Sequence, residues 1–180
     1  MIEMTERVLI CYGTRKGTTT EMAEEMAATM KESGALVDVI NLKEEEIPNQ
    51  VNHYDLIVIG SSINIGNWTK HPLEFIKNNI ETLAQKRVAL FVVCMDAAYE
   101  TKCEEAQTNY LDKIVEENPG LKPVSTALIP GKIDFKQHNF VVRRLLKGII
   151  SKEIPPGEEI PEVVDFRDID KVREWARSLV

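Results

Sequence analysis

Residues 8–25 read Val8-Leu-Ile-Cys-Tyr-Gly-Thr-Arg-Lys-Gly-Thr-Thr-Thr-Glu-Met-Ala-Glu-Glu25, an apolar run that passes through a Gly/Thr loop straight into a helical pattern. The first N–H groups of a helix have no intrahelical acceptor, and the aligned peptide dipoles leave partial positive charge at that end. Thr14, Arg15, Lys16, Gly17, Thr18 and Thr19 therefore form a candidate phosphate cradle built from hydroxyls and backbone amides, with no obligatory cation. The loop lacks both G-x-G-x-x-G and G-x-x-x-x-G-K-[ST], which sets aside the dinucleotide fingerprint and the nucleotide triphosphate loop. It carries T-x-x-G-x-T instead.

Outward from this loop, Val- and Ile-rich runs recur at Arg7–Tyr12, Val37–Leu42, Leu56–Gly60, Val88–Met95 and Val124–Ile129. Near-continuous apolar runs such as Leu56-Ile57-Val58-Ile59 suit parallel strands covered on both faces, whereas half-exposed antiparallel strands would alternate. Helical patterns fall between them. Met22, Ala23, Met26, Ala27 and Met30 follow helical spacing after a capping-box pattern, Thr18-Thr19-Thr20-Glu21, and Gly34 ends that run. Pro72–Leu83, Glu100–Glu117 and Asp168–Leu179 read as further helices. The fold class is α/β, a doubly wound sheet whose ligand sits beyond the carboxyl ends of the strands.

At 180 residues, 43% hydrophobic and 28% charged, the chain reads as one domain, 1–180, with a substantial core. Pro130–Pro161 interrupts the alternation with a basic insertion, which contains Phe140–Ile150 as an amphipathic helix. Between Lys132 and Lys152 stand Lys132, Lys136, Arg143, Arg144, Lys147 and Lys152 against Asp134 alone, on a chain of net charge −7. Such a balance disfavours nonspecific nucleic-acid binding and suits basic protein partners. No secretory leader or apolar run of membrane-spanning length is legible, so a cytoplasmic location is expected. Cys11, Cys94 and Cys103 lack C-x-x-C spacing and read as reduced thiols, and His53, His71 and His138 lack ligand spacing, so no metal site is expected.

Two later loops complete the site. After the third strand comes Gly60-Ser61-Ser62-Ile63-Asn64-Ile65-Gly66-Asn67-Trp68, small and polar beside a large ring; after the fourth comes Cys94-Met95-Asp96-Ala97-Ala98-Tyr99. Small residues let backbone approach a ligand closely. T-x-x-G-x-T after the first strand resembles the phosphate loop of flavodoxins. The form Gly-Ser-Ser-Ile-x-x-Gly is similar to that of one branch of the family, the flavodoxin-like, menaquinone-dependent protoporphyrinogen dehydrogenases.

That resemblance covers nearly the whole chain and implies a five-stranded parallel sheet of order 2-1-3-4-5 with FMN as cofactor. It further implies that the first loop holds the FMN phosphate, while Ser61, Ser62, Ile63, Asn64, Ile65, Gly66 and Trp68 line the flavin ring from one side. Met95, Asp96, Ala97 and Tyr99 would line it from the other. Ile65 stands about where flavodoxins often place a stacking aromatic, which leaves Trp68 as a candidate for stacking and, equally, as a cover for the sheet edge. Asp96 would disfavour further negative charge on a reduced flavin.

No nucleophile elbow or proton-transfer constellation is present. The first functional reading is thus an FMN protein that carries electrons between cytosolic redox partners, steered by its acidic surface. The alternative is a protoporphyrinogen dehydrogenase passing electrons to a membrane quinone, with possible peripheral membrane contact through Lys132–Lys152; a flavin-free interaction domain ranks last. For the insertion helix, Val141, Leu145 and Ile149 form an apolar stripe at i, i+4 and i+8 that is expected to pack on the body, leaving the charges in water.

Overall fold

The computed structural model describes residues 5–180. Strand β1 (Arg7–Gly13) leads into helix α1 (Thr18–Glu32), followed by β2 (Leu36–Asn41), β3 (Leu56–Ser62), α2 (Lys70–Asn78), the short α3 (Ile80–Leu83) and β4 (Arg87–Cys94). The five long strands, ending with β5 (Ser125–Pro130), form one sheet of order β2-β1-β3-β4-β5, parallel throughout. This is the flavodoxin-like architecture that the strand runs and loop motifs imply.

Burial explains the unbroken apolar runs. Along β1, Val8, Ile10 and Tyr12 pack with Met22, Met26 and Met30 of α1, while Leu9 and Cys11 pack on the opposite face with Ile76 and Leu111. Successive side chains point to opposite faces, so a strand covered on both sides has no polar position to spare. The C-terminal α7 (Ile169–Leu179) joins α1 on the first face through Val172, Ala176 and Leu179. Cys11 and Cys94 are buried as expected, and desolvation raises both thiols above their ordinary range, Cys94 to about 11.

The expected Glu100–Glu117 helix is instead three continuous pieces. They are α4 (Glu100–Gln107), a π turn over Thr108–Asp112, and α5 (Lys113–Glu117). The capping box also does not form: α1 is capped by Gly17 in the left-handed region (φ 87°), with no side-chain cap. Glu21 turns outward to the insertion.

The inserted unit runs past its expected end at Pro161: β6 (Lys132–Asp134) pairs antiparallel with β7 (Val163–Asp165), and α6 (Phe140–Ile150) lies between them in sequence. Ile133, Phe135 and Ile150 make a small third core with Met95, Leu146, Val164 and Phe166. Lys132 and Arg167, one from each end of this unit, both pair with Glu21 in the first turn of α1. Burial works against the Glu21 carboxylate, yet hydrogen bonds from Lys132 and Arg167 outweigh it and hold the carboxyl below its ordinary value.

The stripe expected to pack on the body faces water. Val141 is 74% exposed, Leu145 64% and Ile149 49%. The body side of α6 is taken by Leu146, Ile150 and Arg143, whose guanidinium donates to the carbonyls of Phe135 (3.0 Å) and His138 (3.4 Å). Those carbonyls gave no sign in the sequence that they would draw a cation inward.

Gly60 marks a tight point of the sheet, where a β-carbon would fall 2.0 Å from the buried Phe91 ring. Gly60→Ala should therefore destabilise the protein by about 1–3 kcal/mol, seen as a lower urea midpoint with an unchanged slope.

Candidate functional site

The strand order places β1 between β2 and β3, so the loops leaving β1 and β3 diverge at the switch point and open a crevice. Register keeps the loops level, with Gly13 opposite Ser61 and Ser62 opposite Val93. Ser61 is fully buried, and its hydroxyl accepts from the Thr69 N–H at 2.8 Å and shares a proton with the Thr69 hydroxyl at 2.9 Å. A β-carbon on Gly13 would lie 1.9 Å from that Thr69 oxygen. Gly13, Ser61 and Thr69 thus form the floor, and the Ser61 side chain serves the loop rather than the crevice.

In the first loop, Thr14 accepts the Gly17 N–H at 3.0 Å through its hydroxyl oxygen, which leaves the Thr14 hydroxyl proton available. Gly17 takes a positive φ, and a β-carbon there would meet no atom within 4 Å; the glycine requirement is conformational, not steric. Thr19 carries the decisive atom. Its residue is fully buried, and its Oγ1 is the one buried side-chain polar atom among the described residues without a hydrogen-bond partner. An orphaned buried hydroxyl costs about 1–3 kcal/mol, and a phosphate oxygen seated in the cradle is an acceptor that would relieve it. FMN, the cofactor of flavodoxins, fits this loop.

Arg15 and Lys16 do other work than the cradle suggests. Arg15 reaches across the crevice and donates to the carbonyls of Ser62 (2.8 Å), Asn67 (3.3 Å) and Trp68 (3.1 Å). Lys16 donates to the Gln137 carbonyl of the insertion at 2.9 Å. Both cations tie loops together, which leaves the anion to Thr hydroxyls and N–H groups.

The second loop is a tight hairpin. Asn64 and Asn67 exchange both backbone hydrogen bonds at 3.1 Å around Ile65 (φ 49°) and Gly66 (φ 75°), a type I′ turn. A β-branched residue at positive φ is strained by about 1–3 kcal/mol, and here it projects Ile65 outward, 88% exposed, at the loop tip. Trp68 corrects the stacking reading. Its ring lies in the core, and its Nε1 donates to the Tyr110 carbonyl at 2.7 Å, because an indole N–H taken out of water needs an acceptor.

The third loop depends on the same residue. The Tyr110 hydroxyl donates to Asp96 at 2.8 Å, and Lys102 pairs with the other Asp96 oxygen at 3.5 Å. Burial, then the bond to Asp96, pushes the Tyr110 hydroxyl up to about 12. The Asp96 charge is thus met by Lys102 of α4 and by the Tyr110 hydroxyl of the π turn, which weakens the field expected from it. Met95 packs into the insertion core, Ala97 packs against the main core, and Tyr99 meets Phe166 with ring centroids 6.2 Å apart. Sequence reasoning missed Thr69, Tyr110, Gln137 and Phe166. The Tyr110 carbonyl that takes the Trp68 N–H lies in the π turn, which has no sequence signature.

Two variants separate these roles. Thr19→Val should leave the flavin-free protein at least as stable and weaken FMN binding by about 1.5–3 kcal/mol, with riboflavin binding unchanged, in titrations followed by flavin fluorescence. Arg15→Ala should weaken FMN and riboflavin by the same factor, because it releases the ring-side loop and removes no phosphate donor.

Comparison with known proteins agrees with this geometry. A family model described as a flavodoxin domain matches residues 9–158. A protoporphyrinogen IX dehydrogenase [quinone] of Escherichia coli is 30% identical over 173 residues, covering 96% of this chain and 94% of that one. Among solved structures, an oxidised flavodoxin of Bacillus cereus superposes with a TM-score of 0.58 at 18% identity, covering 97% of both chains. A second flavodoxin of that organism gives 0.55 at 22%, covering 96% of this chain and 97% of the other. The family model, the Escherichia coli relative and the shared fold each extend over most of the chain, which belongs to the flavodoxin family.

Proposed function

We propose that this chain is an FMN-dependent dehydrogenase that oxidises a porphyrinogen and passes the electrons to a quinone. The observation that carries the reading is the position of the insertion. Phe166 packs on Tyr99, Met95 enters the insertion core, and Gln137 receives Lys16, so the added unit touches both the phosphate loop and the third loop. A small carrier that docks proteins needs its flavin edge open, whereas a wall of apolar side chains beside the ring suits a small, largely apolar donor. The match to the Escherichia coli dehydrogenase, which spans the insertion, supports the same reading.

Bound FMN would supply the redox chemistry, in each round taking two electrons and two protons from the reduced donor and returning them to one quinone to give a quinol; a porphyrinogen becomes the porphyrin after three such rounds. The protein's part is binding and orientation. Thr14, Gly17 and Thr19 would hold the phosphate end, while Arg15 fixes the second loop in place and Tyr110 secures the third through Asp96 and steadies Trp68. Positioning of this kind accounts for activity without a dedicated acid or base.

The test is an anaerobic assay of the FMN-loaded protein with protoporphyrinogen IX and a soluble quinone, read by porphyrin fluorescence. Porphyrin should appear only when quinone is present, and Phe166→Ala should lower kcat/KM with FMN still bound. A protein that holds FMN and is reduced by a flavodoxin reductase, yet forms no porphyrin above the uncatalysed rate, would instead be a carrier between protein partners. The net charge of −7 favours that second reading.

A further inference from the structure

We propose that α6 docks this protein on an anionic lipid bilayer, with its axis lying in the headgroup plane. The helix has 11 residues, about 16 Å at helical rise, too short to cross a membrane and long enough to lie in its interface. Among the described residues, no helix is long and apolar enough to span one.

The placement of side chains around α6 supports this surface. At 100° per residue, Val141, Leu145, Ile149 and Val142 follow one another around one side of the helix, while Leu146, Ile150 and Arg143 occupy the side against the body. Arg144 lies on the border of the apolar stripe beyond Val141; Phe140 and then Lys147 follow it around the helix, and the Lys147 ammonium sits 5.6 Å from the centre of the Phe135 ring. All four stripe residues are exposed, so four large apolar side chains share one free face of an 11-residue helix; Phe140 is exposed as well but stands apart from that face, among the cations. Scattered exposed apolar residues are ordinary; a contiguous set on one helix face marks an interaction site.

Charge selects the occupant. From Phe135 to Lys152 the sequence holds Lys136, Arg143, Arg144, Lys147 and Lys152 and no carboxylate. Lys136 pairs with Glu162, and Arg143 is turned inward. Among the described residues, Arg144, Lys147 and Lys152 have no carboxylate partner, on a chain whose net charge is −7. A second copy of the chain would bring Arg144 and Lys147 against their own counterparts. An anionic bilayer meets the cations with headgroups and the stripe with acyl chains, which ask for no hydrogen bonds.

The helix also starts where it matters. Its cap, Asn139, lies two residues past Gln137, whose carbonyl receives Lys16 of the phosphate loop. A bilayer under α6 would therefore lie beside the flavin crevice, within reach of an acceptor dissolved in lipid. This deepens the dehydrogenase reading by naming the surface through which the site meets its quinone. Vesicle binding needs neither donor nor acceptor, so its failure would leave the redox reading standing, and a failed porphyrinogen assay would leave the docking surface standing.

The experiment is flotation of the FMN-loaded chain with vesicles of phosphatidylglycerol and phosphatidylcholine mixed, against phosphatidylcholine alone. Binding should appear with the mixed vesicles, fall as salt rises, and drop at least about tenfold in each of two triple variants. One is Val141→Ser with Leu145→Ser and Ile149→Ser; the other is Arg144→Gln with Lys147→Gln and Lys152→Gln. Both alter exposed side chains, and retained FMN with an unchanged far-ultraviolet spectrum confirms that they fold. Absence of wild-type flotation, or flotation of either variant equal to that of the wild type, overturns the proposal. So does self-association without vesicles that the serine variant abolishes, or saturable binding of an acidic protein at this face with none of the vesicles.

Discussion

β1 is covered by helices on both faces and has β2 on one edge and β3 on the other, and from that position the rest of the site follows. Full burial demands the apolar run Val8–Tyr12, and adjacency to strands that lead in opposite directions splits the loops at its carboxyl end. An anion placed in that split meets the first turn of α1 end on. The chain then spends its cations elsewhere: Arg15 bridges to the second loop and Lys16 to the insertion. A buried neutral hydroxyl, Thr19 Oγ1, is left with no partner of its own inside the cradle. A cradle of N–H groups and hydroxyls supports a phosphate while leaving the flavin's own charge state to the ring-side loops.

The backbone plan was readable from the sequence because periodicity reports burial directly. Strands covered on both faces cannot alternate, and all five long strands appeared as apolar runs within a residue or two of their observed ends. The three site loops were readable for a related reason: small and hydroxylated residues at the carboxyl ends of β1 and β3 have little packing role. What the sequence could not give were roles that depend on where a long side chain goes. Arg15 looked like a phosphate ligand and is a clamp on three carbonyls; Trp68 looked able to stack on a ring and instead anchors the loop to the core through Tyr110. Backbone carbonyls are invisible in a sequence, and both residues are placed by them.

The insertion shows the same effect on a larger scale. An amphipathic pattern says that a helix has two faces, not which of them meets the body. Arg143 reverses the expectation because the carbonyls of Phe135 and His138 can take its guanidinium, and Leu146 and Ile150 follow it inward. The longer stripe of Val141, Leu145 and Ile149 is thereby turned out to solvent. Pinned by Lys132 and Arg167 to Glu21, the unit is held against the helix whose first turn forms the phosphate cradle.

The central claim is that the first loop is a phosphate site for a mononucleotide flavin, and a paired titration of the flavin-stripped protein with FMN and with riboflavin tests it most directly. The cradle predicts that FMN binds at least about 100-fold more tightly, since several hydrogen bonds to a charged group depend on the phosphate alone. Equal affinity for the two flavins, or binding of neither, would contradict it.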